Sequence, residues 1–219
     1  LSGKTAVVSG SGNVALYAIH KLIELGAKVV ACSDSGGFVH EPQGLDFDQL
    51  RQIKEIERGR LRAYAERRPR ATFVPSERGS IWSIPCDVAL PCATQNELNG
   101  EHALQLHSNG CLAVSEGANM PSTQEAIHVF LDKGMLFGPG KAANAGGVAV
   151  SALEMQQNAA LASWTFAEVD QRLQETMASI HQTCVHYAGK FSQPGNYVDG
   201  ANIGGFLRVA QAMLSHGHI

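Results

Sequence analysis

Two rhythms of apolar and polar positions alternate along this chain. Thr5–Ser9 (TAVVS) is a short apolar run and predicts a buried strand. From Val14 onward, apolar residues fall at Val14, Ala18, Ile19, Leu22 and Leu25, the three-to-four spacing of one helix face, and the pattern stops at Gly26. Lys28–Ser33 (KVVACS) predicts a second strand. Asp46 is placed to cap a long helix through DFDQLRQIKEIERGRLRAYAERR, weakened in the middle by Gly59. Further strands are predicted at Ala71–Val74, Asp87–Leu90, Leu112–Ser115 and Met135–Phe137, with a helix around Glu101–Ser108. Ser122-Thr-Gln-Glu125 and Thr165-Phe-Ala-Glu168 match the capping box, so helices should begin there. In the second of these, Phe166, Val169, Leu173, Met177, Ile180 and Cys184 predict one continuous buried stripe. Lys190–Asn196 reads as a loop, and a last helix is expected from about Ala201 to Leu214.

Strand, glycine turn and helix follow one another at the start, and Gly10-Ser11-Gly12-Asn13-Val14-Ala15 fits the dinucleotide fingerprint, with alanine in the third small position. Gly10 permits the tight turn, Gly12 lets backbone approach a pyrophosphate, and Ala15 lets the helix pack close to the strand. The free amides at the helix start favour an anion. Strands alternating with helices then imply an α/β fold, a Rossmann-like doubly wound and mostly parallel sheet with additional C-terminal helices, whose ligand crevice lies at the carboxyl ends of the strands. The expected organisation is a dinucleotide-binding domain over residues 1–200 and a terminal helical segment over 201–219.

Composition narrows the partners. With 44% hydrophobic and 17% charged residues the chain should bury a packed core, and a net charge of −3 gives no basic excess for gripping nucleic acid. No apolar run approaches the ~18–20 residues needed to cross a bilayer, so no membrane association is expected. Five cysteines at irregular spacing, without a CxxC pair, fit free thiols in a reducing, cytoplasmic setting. The chain opens with Leu1-Ser-Gly-Lys directly before a core strand, which suggests a piece of something longer.

Asp34 ends the second strand twenty-four residues after Gly10, near the ~20 expected of the group that reads the adenosine ribose. An aspartate there suits the 2′-hydroxyl of NAD. Its flanking hydroxyls Ser33 and Ser35 suit a 2′-phosphate if a cation balances the charge, and Lys54 is the candidate cation. These residues alone leave NAD and NADP both open. Three more segments at strand ends are rich in small and amide residues: Leu90–Glu97, Glu116–Pro121 and Gly138–Val148. Amides such as Asn119 and Asn144 offer donor and acceptor together, as ribose hydroxyls or a carboxamide require. None of the nine histidines has a companion carboxylate or cysteine at metal-ligand spacing, so no metal site is expected. Cys92 reads as a small packing residue, and Trp82 and Trp164 as packing anchors.

Taken in order, SGSGNVA (9–15), CSDS (32–35), DVALPCATQNE (87–97), EGANMP (116–121), KAANAGGV (141–148) and YVDGANI (197–203) resemble the coenzyme domain of hexameric glutamate dehydrogenases, especially the NADP-dependent bacterial members. The resemblance covers nearly the whole chain. It implies that Gly10–Val14 cradle the pyrophosphate, that Ser33, Asp34, Ser35 and Lys54 surround the adenosine 2′ position, and that Ala93, Thr94, Asn119 and Asn144 line the nicotinamide side. It further implies that Val148 and Ser151 touch the glutamate side chain, Ser151 donating to the distal carboxylate. NADP is then the expected coenzyme, ahead of NAD.

The same resemblance implies oxidative deamination of glutamate: hydride leaves the α-carbon for the nicotinamide, and water hydrolyses the resulting imine to 2-oxoglutarate and ammonium. The substrate-binding lysines and the acid–base groups belong to an amino-terminal domain that these residues do not include, so no catalytic residue is assigned here and the chain alone is expected to be inactive. The terminal helix is expected to pack toward that domain. The parent is expected to be a homohexamer and the isolated piece a monomer or weak dimer. Two other readings stand beside this one, namely another amino-acid dehydrogenase, disfavoured by the polar Ser151, and a non-catalytic nucleotide-sensing module.

Overall fold

In the computed structural model, which describes residues 1–217, the first apolar run forms β1 (Thr5–Val8), followed by β2 (Lys28–Asp34) and β3 (Gly37–His40). The remaining strands are β4 (Thr72–Pro75), β5 (Val88–Leu90), β6 (Ala113–Ser115) and β7 (Leu136–Gly138). They form one sheet in the order β4-β3-β2-β1-β5-β6-β7. β1 runs parallel to β2 and β5, and β5 runs parallel to β6. Crossing from β1 to either side reverses the direction of sequence, which places a topological switch point at the carboxyl end of β1.

The α/β architecture is therefore the expected one, with an addition at one edge. β3 pairs antiparallel with both β2 and β4, so an antiparallel ribbon extends the parallel centre. β3 escaped the sequence reading because it is four residues long and opens on glycine. That glycine is required: at Gly37 (φ +146) a Cβ would overlap the Val74 carbonyl oxygen.

The chain divides into two units, Leu1–Phe137 and Gly138–Ile219. In the first, α1 (Asn13–Glu24) lays Ala15, Leu16, Ile19 and Leu22 on the sheet, in a core shared with Val29, Cys32 and Val39. Val14 and Leu25, expected on that buried face, are exposed instead. The long helix expected from Asp46 is also corrected. Asp46 does cap a helix, accepting from Gln49 N at 3.0 Å, but α2 (Phe47–Arg51) gives way to a wider turn at Gln52–Ile56, and the path then breaks at Arg58, whose φ is 54°. α3 (Arg62–Arg67) resumes beyond the break.

A ring of polar side chains holds this broken segment to the sheet. Glu41, just past β3 and only 1% exposed, accepts from the Tyr64 hydroxyl at 2.5 Å and pairs with Arg68 at 3.0 Å. Arg68 also reaches Asp46 (3.1 Å), and the Asp46 amide donates back to Tyr64 Oη (2.8 Å). A buried carboxylate is tolerable only with such complete pairing.

α4 (Gly100–Ser108) and α5 (Gln124–Asp132) complete this unit. α4 carries a reciprocal cap between Asn99 and His102, while the cap of α5 is Thr123, one residue later than the expected box at Ser122. Trp82 is buried, as a packing anchor should be.

The second unit holds α6 (Gly140–Ala143), α7 (Ala145–Ala159), α8 (Phe166–Phe191) and α9 (Tyr197–His216). α9 begins four residues ahead of the expected Ala201, so the expected boundary after residue 200 falls within it; residues 218 and 219 lie outside the described residues. The box at Thr165 and Glu168 caps α8 as expected. Its predicted stripe is covered only in part: Cys184 is buried, Val169, Leu173, Met177 and Ile180 are half-buried, and Phe166 is exposed. α9 seats against α8 through Gly200 and Gly204, where a Cβ would overlap the Cys184 carbonyl oxygen or come within 2.8 Å of Thr183 Cγ2. Among the described residues no helix is long and apolar enough to cross a membrane.

Candidate functional site

Three loops meet at the carboxyl ends of β1, β5 and β6. At the first, Gly10 turns the chain with φ +85, a conformation that side chains rarely adopt, and a Cβ there would meet Cys92 O at 3.1 Å and Ala93 Cα at 3.2 Å. Gly12 differs. A Cβ there would meet nothing within 4 Å, so this glycine fills no packing need and leaves the approach to the backbone clear. Gly12 is the N-cap of α1, no side chain caps it, and no acidic residue sits in the first turn. Gly12, Asn13 and Val14 are exposed, while Ser11 is buried behind them. The first amides of α1 thus face open space at the positive end of a twelve-residue helix, an arrangement suited to a pyrophosphate. These residues fit a dinucleotide.

A second loop, Pro91–Glu97, is tied to the first by Ser9 and Glu97. Ser9 Oγ donates to Glu97 Oε1 (2.8 Å) and accepts from Cys92 N (2.8 Å), and the same carboxylate oxygen accepts from the amides of Ala93 (3.0 Å) and Thr94 (3.3 Å). Burial pushes the Glu97 pKa above the ordinary carboxylate value, and the bonds from Ser9, Ala93 and Thr94 offset part of that rise. Ala93 and Thr94 lie exposed on this loop. Cys92 beneath it is buried, its thiol pushed up to about 12 by burial and by the Glu97 charge, as an inert packing residue requires.

The third loop, Glu116–Pro121, closes on the second. The amides of Gly117 and Ala118 both donate to Pro91 O (3.0 Å each), and Asn96 N donates to Met120 O (3.0 Å). A Cβ on Gly117 would lie 2.5 Å from Cys92 Sγ and 3.2 Å from Val14 Cγ1. Gly117 therefore brings all three loops into contact. Asn119 is exposed on this loop.

At the end of β2, the expected ribose-reading group is close by but its atoms are engaged. Ser33 Oγ accepts from Gly10 N (2.9 Å), so Ser33 braces the fingerprint turn. Asp34 accepts from Gly36 N (2.8 Å) and Leu61 N (2.9 Å), which ties the strand end to the start of α3. Ser35 Oγ accepts from Arg60 Nη1 at 2.6 Å. Lys54, the expected cation, is half-buried and donates to Gly59 O (2.8 Å), holding the turn that carries Arg60. Arg60 is thus the guanidinium beside the Asp34–Ser35 pair, and the sequence reading missed it because a continuous helix over 46–68 would have hidden the turn. Ser9, Glu97 and Gly117 were also missed; each stood inside a quoted segment without a feature that singled it out.

The candidates of the second unit lie around α6 and α7. Asn144 is the junction between the two helices and is half-buried. Val148 and Ser151 lie exposed on α7, with Ser151 Oγ donating to Gly147 O at 3.2 Å. Among the described residues no group of three or more histidine, cysteine or acidic side chains is positioned to hold a metal ion.

Comparison with known proteins agrees with this geometry. Residues 1–217 match the family model described as glutamate/leucine/phenylalanine/valine dehydrogenase. A glutamate dehydrogenase of Bacteroides thetaiotaomicron is 54% identical over 99% of this chain and 49% of its own length. The NADP-specific glutamate dehydrogenase of Escherichia coli is 51% identical, with 99% and 48% covered. A crystal structure of Plasmodium falciparum glutamate dehydrogenase superposes with a TM-score of 0.94 at 44% identity, covering 99% of this chain and 47% of that one. The chain spans about half the length of the curated relatives it matches. With the fingerprint turn, the converging loops and a family match over almost every residue, this chain belongs to the glutamate/leucine/phenylalanine/valine dehydrogenase family.

Proposed function

We propose that this chain is the coenzyme-binding part of a glutamate dehydrogenase that interconverts L-glutamate with 2-oxoglutarate and ammonium, using NADP in preference to NAD. The observation that carries the reading is the open backbone at Gly12–Val14, backed by the Gly10–Cys92–Gly117 packing that brings three strand-end loops together. In this reading the α1 amides hold the pyrophosphate. Asp34, Ser35, Arg60 and Lys54 surround the adenosine 2′ position, with Ser33 bracing the turn from behind. Ala93, Thr94, Asn119 and Asn144 orient the nicotinamide, which when bound supplies the hydride acceptor. Val148 and Ser151 meet the substrate side chain, Ser151 as donor to its distal carboxylate.

The Arg60 guanidinium beside Ser35, with Lys54 bracing the turn that carries it, supports NADP, and several curated relatives are named NADP-specific, while one from Xylanibacter ruminicola is named NAD(P)-specific. The acid–base groups and substrate-binding lysines are assigned to the further domain of the parent, which we expect to be a cytoplasmic homohexamer; this chain alone holds coenzyme without turnover. The family also acts on leucine, phenylalanine and valine by its description, so an apolar substrate is the second reading. Ser151 favours glutamate over it.

Titration of the chain with NADPH and NADH, followed by coenzyme fluorescence, tests the coenzyme reading: tighter NADPH binding is expected, and tighter NADH binding or no binding of either overturns it. Assay of the full-length parent with glutamate against leucine tests the substrate.

A further inference from the structure

At the opposite ends of the strands from the coenzyme site, two cysteines face each other. β5 and β6 pair in parallel with Val88 opposite Ala113 and Ala89 opposite Val114. Cys86 and Cys111 each stand two residues ahead of this ladder, where Asp87 O accepts from both Leu112 N (2.8 Å) and Ala113 N (3.2 Å) and keeps the two segments side by side. Neighbouring strands lie about 4.8 Å apart, inside the roughly 4.4–6.8 Å separation of Cα atoms that a disulfide spans. Cys111 Sγ donates to Ala113 O (3.4 Å) and to Asp87 O (3.7 Å), the carbonyl next to Cys86, and the Cys86 thiol interacts with Cys111. Both residues sit just outside their strands, Cys111 directly after the left-handed turn at Gly110 (φ +85), so each has a loop on one side that can give.

We propose that Cys86 and Cys111 form an oxidisable dithiol, a modification site at which a two-electron oxidant of the peroxide class joins β5 to β6 through a reversible disulfide. Cys111 is the attacking sulfur once loop opening frees its thiol from Asp87 O and Ala113 O and its proton passes to solvent; the facing Cys86 thiol then favours the Cys111 thiolate. The Cys111 thiolate attacks the peroxide oxygen; the O–O bond breaks, the departing oxygen leaves as alcohol or water with a proton, and a sulfenic acid remains. Cys86 then attacks that sulfur, the S–O bond breaks, and water leaves with the Cys86 proton. In sum, two thiols and one peroxide give one disulfide, one alcohol and one water, with each sulfur oxidised by one electron.

Both side chains are buried, at 5% and 4% exposure, but their chain neighbours Pro85 and Leu112 are exposed, so a modest opening of the two loops admits a small oxidant. The other three cysteines provide the internal comparison. Burial pushes the thiols of Cys32, Cys92 and Cys184 upward. Burial opposes ionisation of Cys86 and Cys111 as well, so what sets the pair apart is that each has a second thiol beside it to complete a disulfide.

The test uses the intact chain treated with limiting hydrogen peroxide, then alkylated and digested without reduction for peptide mass mapping. The expected result is one linked peptide pair containing Cys86 and Cys111, two hydrogens lighter than its separate halves and released by dithiothreitol. Two of the five thiols should be lost to Ellman's reagent under denaturing conditions. Cys86→Ala and Cys111→Ala should each abolish the linked pair, and the wild-type map stands by itself if either variant fails to fold. First modification at Cys32, Cys92 or Cys184, overoxidation of Cys111 with no link, or an unreacted pair in natively folded protein would each overturn the proposal. NADPH affinity should change less than twofold on linkage, since the site lies at the other end of the sheet.

Discussion

Adding one methyl group at Gly117 tests the convergence of the three loops. In Gly117→Ala the new Cβ would lie 2.5 Å from Cys92 Sγ, against about 3.5–4 Å for a relaxed contact, a shortfall of about 1 Å. Cys92 has little room to retreat: it is buried and its amide is held by Ser9 Oγ at 2.8 Å. Val14 Cγ1, at 3.2 Å, closes the other side. Overpacking of this kind costs ~1–3 kcal/mol, and a loss of ~2 kcal/mol would lower the urea midpoint by about 1 M at a typical m-value.

Removing the obstructing atom gives the control. Cys92→Ala alone should cost ~1 kcal/mol for the vacated sulfur, but in the double variant the methyl group occupies that space, so a favourable coupling of at least ~1 kcal/mol is expected. Equilibrium urea unfolding in a Trp164→Phe background, where buried Trp82 is the sole tryptophan, reports the first unit alone. A Gly117→Ala variant within ~0.5 kcal/mol of the parent, or a double variant equal to the sum of the singles, would refute the packing argument. NADPH titration of the same proteins should weaken and recover in parallel.

Arg60→Ala should lose NADPH affinity by roughly 10–100-fold, the worth of a charge-assisted hydrogen bond, with NADH binding changed less than about twofold; equal losses for both coenzymes would remove Arg60 from the 2′ position. Lys54→Ala should show a smaller NADPH-selective loss, and an equal effect on NADH would limit Lys54 to bracing Gly59. Glu97 should mark the pH dependence of stability. Because its folded pKa is raised above the unfolded value, the native state keeps that proton to higher pH, and stability falls as pH rises from the ordinary carboxylate range through the raised value. Glu97→Gln retains an acceptor for Ser9 and the two loop amides, so thermal melts at a series of pH values between 4 and 7 should lose this decline; an unchanged slope would assign it to other groups.

The parallel centre of the sheet and the fingerprint turn were legible because each rests on local signals: a short apolar run, a glycine that must turn, and a 3.6-residue stripe. What escaped depends on distant contacts. Nothing near Gly37 foretold that Phe38 and Val39 would pair with β2 and β4. α7 carries Gly146 and Gly147 in its first turn, poor helix formers, and packs there against α8: Gly146 sits where a Cβ would meet Leu173 Cδ1 at 3.3 Å. The continuous helix over 46–68 failed at Arg58 and Gly59, where the apolar spacing persists but the backbone does not, and Arg60 was lost with it. The predicted α8 stripe is mostly half-buried, with only Phe166 exposed, because the faces of α7 and α9 that meet it include glycines at Gly146, Gly200 and Gly204.

The ring of Glu41, Tyr64, Arg68 and Asp46 has a consequence for how preference between the two coenzymes can change over time. It anchors both flanks of residues 52–60 through side chains that lie outside the stretch itself, while buried Ile53 and the Lys54 bond to Gly59 O fix its middle, so the exposed charges of Arg58 and Arg60 can vary without releasing it. The stretch behaves as an interchangeable cassette on a fixed mount. Selection can rewrite its charges in a few steps, from phosphate-seeking to hydroxyl-seeking, while the neighbouring scaffold stays folded.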